Sequence, residues 1–441
     1  MAQTTFPPTQ SNLQYTTIPP TGASQSLWEG ILSSSLSATN TIIGTGSGLI
    51  AYSTVTGTSV TVNGLTTYLT ANQPTTILTT IGSTTATVKA PVSPPNAATF
   101  SYGFTGSQMT PQDGSIATNG SGTWVISGYN GGNSGQAQSY YSTNNGATWA
   151  TTSPGSGAGA DGYLMKYGNG YFVGIESCGY LTNTSSTTVV YSTNGSTWTQ
   201  TSSGLTGIAG INNAKNSLAT DGKGTWIATS RYASGFGAGN AAYSRNNGAS
   251  WSVIGSPFSN TNPSGGQTDC FWNGSRFFIA KDSAYMYSST DLTTWTSGGA
   301  KSVGGSTVYG NGIWLSVSGT SVQASLDNLG SFQNNYSTCP NNGGNWTLCY
   351  LNGYFIAVQY GPASLPSFSM YSSNNGLTWT IFTTLMDTSG NGPKNVASSE
   401  ANNTYISIGS SGTGQYGVQV ATLSSTLPTV FGFYQPSTQL H

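Results

Sequence analysis

From about Ser107 to Tyr434 the chain alternates short apolar runs with turns made of Asn, Gly, Ser and Thr. The stretch from Tyr163, YLMKYGNGYFVGIESCGYLTNTSSTTVVYSTNGSTWTQTSS, shows the unit, and its alternation predicts four strands: YLMKY, YFVGIE, TVVYS and TWTQT. Asn-Gly pairs flanked by alternating apolar residues are the strongest short signal for a hairpin. Two such hairpins recur along the chain. The first has an Asn-Gly or Asp-Gly turn, then an aromatic and a β-branched run. It reads NGSGTWVIS from Asn119, GNGYFVGI from Gly168, DGKGTWIATS from Asp221, NGSRFFIA from Asn273, GNGIWLSV from Gly310 and NGYFIAV from Asn352, and more weakly ANNTYISIG from Ala401. The second reads YSTNNGATW at Tyr141–Trp149, YSTNGSTW at Tyr191–Trp198, YSRNNGASW at Tyr243–Trp251 and YSSNNGLTW at Tyr371–Trp379. Two worn copies are YSSTDLTTW (Tyr287–Trp295) and ASLDNLGSF (Ala324–Phe332), and a last one at VQVATLSS, from Val418, has neither turn nor Trp.

Four antiparallel strands repeated every ~47 residues predict an all-β chain folded as a seven-bladed β-propeller of four-stranded antiparallel blades. An open solenoid would require capping repeats, and none is visible. The ring has to be closed, and the last repeat lacks its fourth strand. Either ATFSYGF (Ala98–Phe104) or TVFGFY (Thr429–Tyr434) fits that place, and contiguity favours the carboxy-terminal segment. Ahead of the propeller (96–441), residues 1–25 are rich in Pro, Thr and Gln and read as an extended attachment arm. Residues 26–95 read as a small β domain for anchoring or assembly, with strand-like runs LIAYSTV, SVTVNGLTTYLT, TTILTTIG and TTATVKAP. SLWEGILSSSL suits a short helix or a strand, and PVSPPNAA at Pro91–Ala98 reads as the linker.

Composition narrows the partners. Only 5% of the 441 residues are charged, against about 25% in ordinary globular chains, while 12% are aromatic. The polar surface is therefore Ser, Thr, Asn, Gln and Gly, and the regularly spaced aromatics argue against disorder. Ten basic and eleven acidic residues leave a net charge of -1, which offers no field for nucleic acid or an anionic membrane. No apolar run approaches the roughly 18 residues of a spanning helix, and MAQTTFPPTQ has neither the basic nor the apolar region of a secretory signal. Cys339 and Cys349 flank the loop-like CPNNGGNWTLC and form a possible disulfide, while Cys178 and Cys270 read as buried thiols. The only histidine is His441, so neither a zinc site nor a Ser-His-Asp arrangement is expected.

The second hairpin phrase resembles the Asp-box, or BNR repeat, Ser-x-Asp-x-Gly-x-Thr-Trp, known from sialidases, sortilin-like receptors and many non-enzymatic propellers. Ser142, Gly146, Thr148 and Trp149 match it, with Asn144 at the acidic position. Asn246, Gly248 and Trp251 repeat it with Ser250 for Thr, Asn374, Gly376 and Trp379 repeat it again, and Asn194 and Trp198 form a shorter copy. True Asp stands only in the worn copies, as Asp291 ahead of Trp295 and as Asp327. The physical role is local: an Asx-type turn, a glycine at positive φ, and a Trp face packed between hairpins. The resemblance to sialidases would imply three clamping arginines and a Tyr–Glu pair. Of the three arginines, Arg245 and Arg276 fall on hairpin tips, leaving Arg231 alone near a channel mouth. Asp113, Asp161 and Asp269 precede the first strands of their repeats and are weak candidates for a metal or for a carboxylate pair. The expectation is a protein that is not an enzyme and needs no cofactor.

The non-repeating aromatics Tyr129, Tyr232 and Phe236, with Trp346 inside the Cys339–Cys349 stretch, are the candidate ligand contacts. A polar, uncharged, aromatic-rich propeller behind an arm and a small β module resembles a phage or viral fibre. The expected role is a virion-surface receptor-binding protein, anchored to other virion proteins through its amino-terminal region and recognising host surface glycan. It would be made in the host cytoplasm, with no nucleic-acid or membrane partner and with a possible homo-oligomeric state. Two alternatives stay open: a capsid-decorating or filament-forming subunit without ligand, and a glycan-cleaving Asp-box enzyme.

Overall fold

The computed structural model describes strand residues 4–5, 16–17, 39–43, 49–56, 59–62, 65–68, 74–81, 85–89 and 100–101 in the amino-terminal part. From there it describes 109–130, 137–155, 162–176, 188–201, 217–229, 241–254, 267–281, 285–300, 306–341, 345–360, 369–382, 393–410, 416–422 and 433–434. Every element among them is a strand or a turn.

Six blades follow one another, each a meander of four consecutive antiparallel strands. The second blade is representative: Tyr163–Gly168, Tyr171–Glu176, Val189–Ser192 and Thr199–Thr201. The first blade runs from Met109 to Thr152, the third from Leu218 to Ile254, the fourth from Gln267 to Ala300, the fifth from Ser306 to Thr338 and the sixth from Asn345 to Phe382. The expectation of seven blades is corrected here: six blades are complete meanders, and the last sector of the ring is composite. It consists of Pro393–Ser399, Thr404–Ser410 and Tyr416–Thr422, with Phe100–Ser101 as its fourth strand. Val418 pairs with Ser101 and Gln419 with Phe100. The closing strand thus comes from before the first blade, not from TVFGFY. Phe433–Tyr434 instead pairs with Ala51 and Ile50. The physical reason lies in the worn last repeat, whose sequence from Val418 carries neither the Asn-Gly turn nor the Trp of the other copies.

The blades stack through their faces, so their second strands are buried on both sides. Trp124, Val125 and Ile126 are inaccessible in succession, as are Phe172 and Val173, and Phe355 through Val358. This is why these strands read as continuous apolar runs rather than as an alternation. Each core cluster spans two neighbouring sheets. Leu164, Val173 and Ile175 of the second blade meet Leu218, Trp226 and Trp251 of the third. Leu315 and Val317 of the fifth meet Phe355 and Met370 of the sixth. The ring is joined where Ile406, Ile408 and Val418 of the composite sheet pack on Trp124, Ile126 and Tyr140 of the first blade. Full burial of one such aromatic or aliphatic side chain contributes about 1.5–3 kcal/mol. Fourth strands face outward, and Thr199–Thr201 is largely exposed.

The amino-terminal part forms two further sheets. One has the order Thr39–Ile43, Thr85–Lys89, Ser59–Val62, Leu65–Tyr68, and the other places Leu49–Thr56 between Pro74–Ile81 and Phe433–Tyr434. Within the arm, Thr4–Thr5 pairs with Thr16–Thr17. The SLWEGILSSSL segment and the Pro91–Ala98 linker lie outside the described residues.

Closure by Phe100–Ser101 has a direct consequence. A fragment beginning at residue 106 should be less stable than one beginning at residue 96, by on the order of 1–2 kcal/mol for two lost ladder hydrogen bonds. It should also self-associate through the bared edge at Val418–Gln419. Denaturant midpoints and light scattering on the two fragments test this, and equal midpoints would assign closure elsewhere.

Candidate functional site

The first-to-second and third-to-fourth hairpins turn at the same end of each sheet, and the Asp-box tips gather there. In the first blade Ser142 Oγ donates to Asn144 Oδ1 at 2.9 Å and accepts from Gly146 N at 2.9 Å. Asn144 Oδ1 also accepts from Thr148 N at 2.9 Å, while Asn144 Nδ2 donates to Thr148 Oγ1 at 2.8 Å. Trp149 Nε1 donates to Gly146 O at 3.0 Å. Asn246, Gly248 and Trp251 repeat the geometry, as do Asn374, Gly376 and Trp379. In the short copy Asn194 Oδ1 accepts from both Ser196 N and Thr197 N, and Trp198 Nε1 donates to Gly195 O. Asp291 takes the same position: its Oδ1 accepts from Thr293 N and Thr294 N, and Trp295 Nε1 donates to Leu292 O at 3.3 Å. Asp327 accepts from Ser331 N and Ser331 Oγ. Asn and Asp serve alike here because the turn uses one side-chain oxygen; the second atom meets a hydroxyl, which donates to a carboxylate and accepts from an amide.

The glycines have a second duty. Gly376 has φ +84°, and a Cβ there would lie 2.7 Å from Leu315 Cδ1 of the preceding blade. Gly146 would meet Ile406 Cδ1 of the composite sheet at the same distance. These tips are wedged against the neighbouring sheet.

The second Asn of the NNG tips, which sequence reasoning passed over, links adjacent sheets. Asn145, Asn247 and Asn375 all have φ near +60°. Asn169 Nδ2 of the second blade donates to Asn247 Oδ1 of the third at 2.9 Å. Asn311 of the fifth blade donates to Asn375 of the sixth, and Asn402 of the composite sheet donates to Asn145 Oδ1 of the first at 3.0 Å. Asn273 and Asn328 exchange amide-to-carbonyl bonds of 2.9 Å between the fourth and fifth blades. The available signal was the doubled Asn itself, and its meaning needed the ring.

The first strands of all six blades and of the composite sheet surround an axial cavity of about 520 Å³. Cross-strand register puts Thr118, Tyr167, Thr220, Phe271, Tyr309 and Tyr350 at one level, opposite Trp124, Phe172, Trp226, Phe278, Trp314 and Phe355. The Tyr309 ring lies 5.1 Å from that of Trp314 and is 41% exposed. Thr307 is buried to 6% exposure, and its Oγ1 has no hydrogen-bond partner among the described residues. Lys166 is the only cationic side chain lining the cavity among the described residues. Burial holds its amine below the ordinary lysine range, while Cys270 and Asp269 draw it back up.

The expected ligand contacts separate. Tyr129 lies in the second strand of the first blade, paired with Thr110 and Ala137. Its side chain, with Tyr232 and Phe236, lies outside the described residues. Trp346 is corrected from ligand contact to core: it is 2% exposed, and its Nε1 donates to Gly319 O at 2.8 Å. The Pro, Gly and Asn around it suggest a loop, but Asn345–Leu351 is a strand whose burial draws the indole inward. The possible disulfide is also corrected. Cys339 and Cys349 are free, buried thiols in different core clusters, because strand register sends the latter toward the composite sheet. Burial pushes Cys339 up to about 11 and Cys349 up to about 12.

Asp113 and Asp269 fall within the first strands of their blades, each at a register irregularity, rather than ahead of them. Asp269 is 7% exposed, the Asp113 side chain and all of Asp161 lie outside the described residues, and Cys178 and Arg231 do so too. Among the described residues no three His, Cys, Asp or Glu side chains are grouped to hold a metal ion. Arg245 and Arg276 sit on tips, where Arg245 Nη2 donates to Asp291 O at 2.6 Å.

No family model matches the chain, and no curated protein matches it in sequence. Among solved structures it is similar to YCF48 bound to D1 peptide, at 13% identity and TM-score 0.47 over 77% of this chain and 100% of that one. It is also similar to the GH74 xyloglucanase from Xanthomonas campestris, at 11% identity and TM-score 0.48, over 77% of this chain and only 56% of the enzyme's. A chain of the mitotic checkpoint complex matches at 10% identity and TM-score 0.49, over 76% of this chain and 95% of that one. These are likenesses to the propeller.

Two predictions follow from the tips. The N–H groups of Thr294 and Thr293, with the Ser289 hydroxyl, hold the Asp291 carboxyl well below the ordinary carboxylate range. Its contribution is therefore present above the unfolded pKa of about 4 and is lost as pH falls through the folded value. Asp291→Asn should match the wild type near neutrality and lose less stability below about pH 4; parallel curves of denaturant midpoint against pH would contradict this. Asn375→Gly keeps the positive φ but removes the link to Asn311, at a cost of about 0.5–1.5 kcal/mol. Asn375→Ala should cost about 1 kcal/mol more, from the left-handed backbone. Equal stability of the glycine variant and the wild type would show the link to be idle.

Proposed function

We propose that the chain is a receptor-binding or fibre protein of a virion surface, held to the particle by its amino-terminal region, with the propeller recognising surface glycan. The observation that carries this reading is the axial cavity, where an exposed Tyr309, its ring tilted against Trp314, shares the wall with the unpartnered hydroxyl of Thr307 in a chain with 5% charge. Aromatic faces suit the C–H faces of sugar rings, and neutral hydroxyls exchange hydrogen bonds with sugars at low desolvation cost. The same reading makes the protein a binder, not an enzyme. Glycoside cleavage asks for two facing carboxylates, whereas Asp221, Asp291 and Asp327 each close a hairpin tip by accepting backbone N–H bonds. Among the described residues Glu400 is the one carboxylate that lines the cavity, Asp269 lying behind it against Lys166. Glu176 accepts from Thr188 N at 2.9 Å.

The test is a glycan array probed with the full chain, followed by incubation of any bound glycan with excess protein. The expected result is binding to a subset of glycans without cleavage. Absence of binding to any surface glycan would refute the recognition role, and turnover would restore the enzyme reading.

A further inference from the structure

We propose that the axial cavity binds the end of a neutral, hydroxyl-rich saccharide, with Thr307 Oγ1 as its hydrogen-bond anchor and Tyr309 as its stacking face. The inference rests on the glycan-recognition reading and gives it a site and a ligand class.

The cavity volume of about 520 Å³ lies within the roughly 300–1,000 Å³ usual for small-ligand sites. Its wall alternates chemistry as a sugar does. Tyr309, braced by Trp314 at 5.1 Å, offers a ring face, while the hydroxyls of Thr118 and Thr220 on other blades are held by the carbonyls of Thr123 and Thr225 in their own turns. Thr307 is the pointed observation. It lines the cavity, is more than nine-tenths buried, and its hydroxyl lacks a partner, whereas the comparable buried hydroxyl of Ser306 in the same wall accepts from Leu348 N at 3.0 Å. A buried polar group without a partner is costly to the fold, and a ligand hydroxyl entering the cavity would supply what Thr307 lacks.

Charge selects the ligand class. One ammonium, Lys166, lines the cavity, and it interacts electrostatically with the carboxylate of Asp269, while Glu400 lines the same space. One cation against two carboxylates leaves no surplus positive charge for an acidic sugar. It leaves Lys166 as a donor to a neutral hydroxyl or ring oxygen.

The experiment titrates the full chain with the methyl glycosides of glucose, galactose and rhamnose, and with glucuronate and N-acetylneuraminate, by saturation-transfer NMR and calorimetry. Thr307→Val and Tyr309→Ala are run beside the wild type. At least one neutral glycoside should bind, Thr307→Val should weaken it by roughly 5–10-fold, and Tyr309→Ala should weaken it similarly. Thr307→Val should meanwhile melt at the same temperature as the wild type or higher, because it removes an unpartnered polar group. A merely structural hydroxyl would behave the opposite way.

Neutral binding indifferent to both variants would overturn the site while leaving glycan recognition standing. Binding of the acidic sugars alone would overturn the ligand class. Binding of no saccharide, here or on the array, would overturn the site and the recognition reading together.

Discussion

A hairpin tip pressed against the neighbouring sheet has to satisfy its own backbone donors, and the ring depends on how this chain meets that constraint. One side-chain oxygen, from Asn144, Asn246, Asn374, Asp291 or Asp327, accepts the N–H groups of its tip. A serine hydroxyl two residues earlier takes the N–H that would otherwise be left over. Full tips then carry a glycine, because the neighbour's side chains occupy the space a Cβ would need, as Leu315 does at Gly376. The Trp closes the arrangement by donating its ring N–H back to the tip carbonyl. None of these duties requires a charge. The near absence of charged residues and the replacement of Asp by Asn are therefore one fact seen twice.

The same economy shapes the joints between sheets. Side-chain amides donate and accept at once, so asparagines facing each other across a blade boundary can link without either becoming ionic. Asn169 with Asn247 and Asn402 with Asn145 do this at two points around the ring. The last of these lies where the composite sheet meets the first blade, the boundary that also depends on the borrowed strand Phe100–Ser101. The turn end of the propeller is thus fixed by its own side chains, while the inner strands line the axial cavity.

Much of the fold was legible because it repeats. The Asn-Gly turns and the Tyr-Ser phrase located both hairpins of each blade, and the strands of the second blade fall within a residue or two of the four read from Tyr163. The closing strand was ambiguous because two residues, Phe100 and Ser101, carry no periodicity. The partner of Asn145 is Asn402, far away in the chain, and no local pattern links them. Trp346 misled through its setting between two cysteines, when strand pairing, invisible in composition, turns it inward. The cavity residues were the least legible. Lys166, Thr307 and Tyr309 become neighbours of one space only once register places every first strand around the axis.

Native-state hydrogen exchange most directly tests the claim that the tips are the framework of the ring. The backbone N–H groups of Gly146, Gly248 and Gly376, each bound to a serine hydroxyl, should exchange as slowly as those of Val125 and Ile227 in the buried second strands, opening only with the whole propeller. Exchange of the tip amides orders of magnitude faster than the strand amides would show that the tips open freely, and that the ring is held by its strand cores alone.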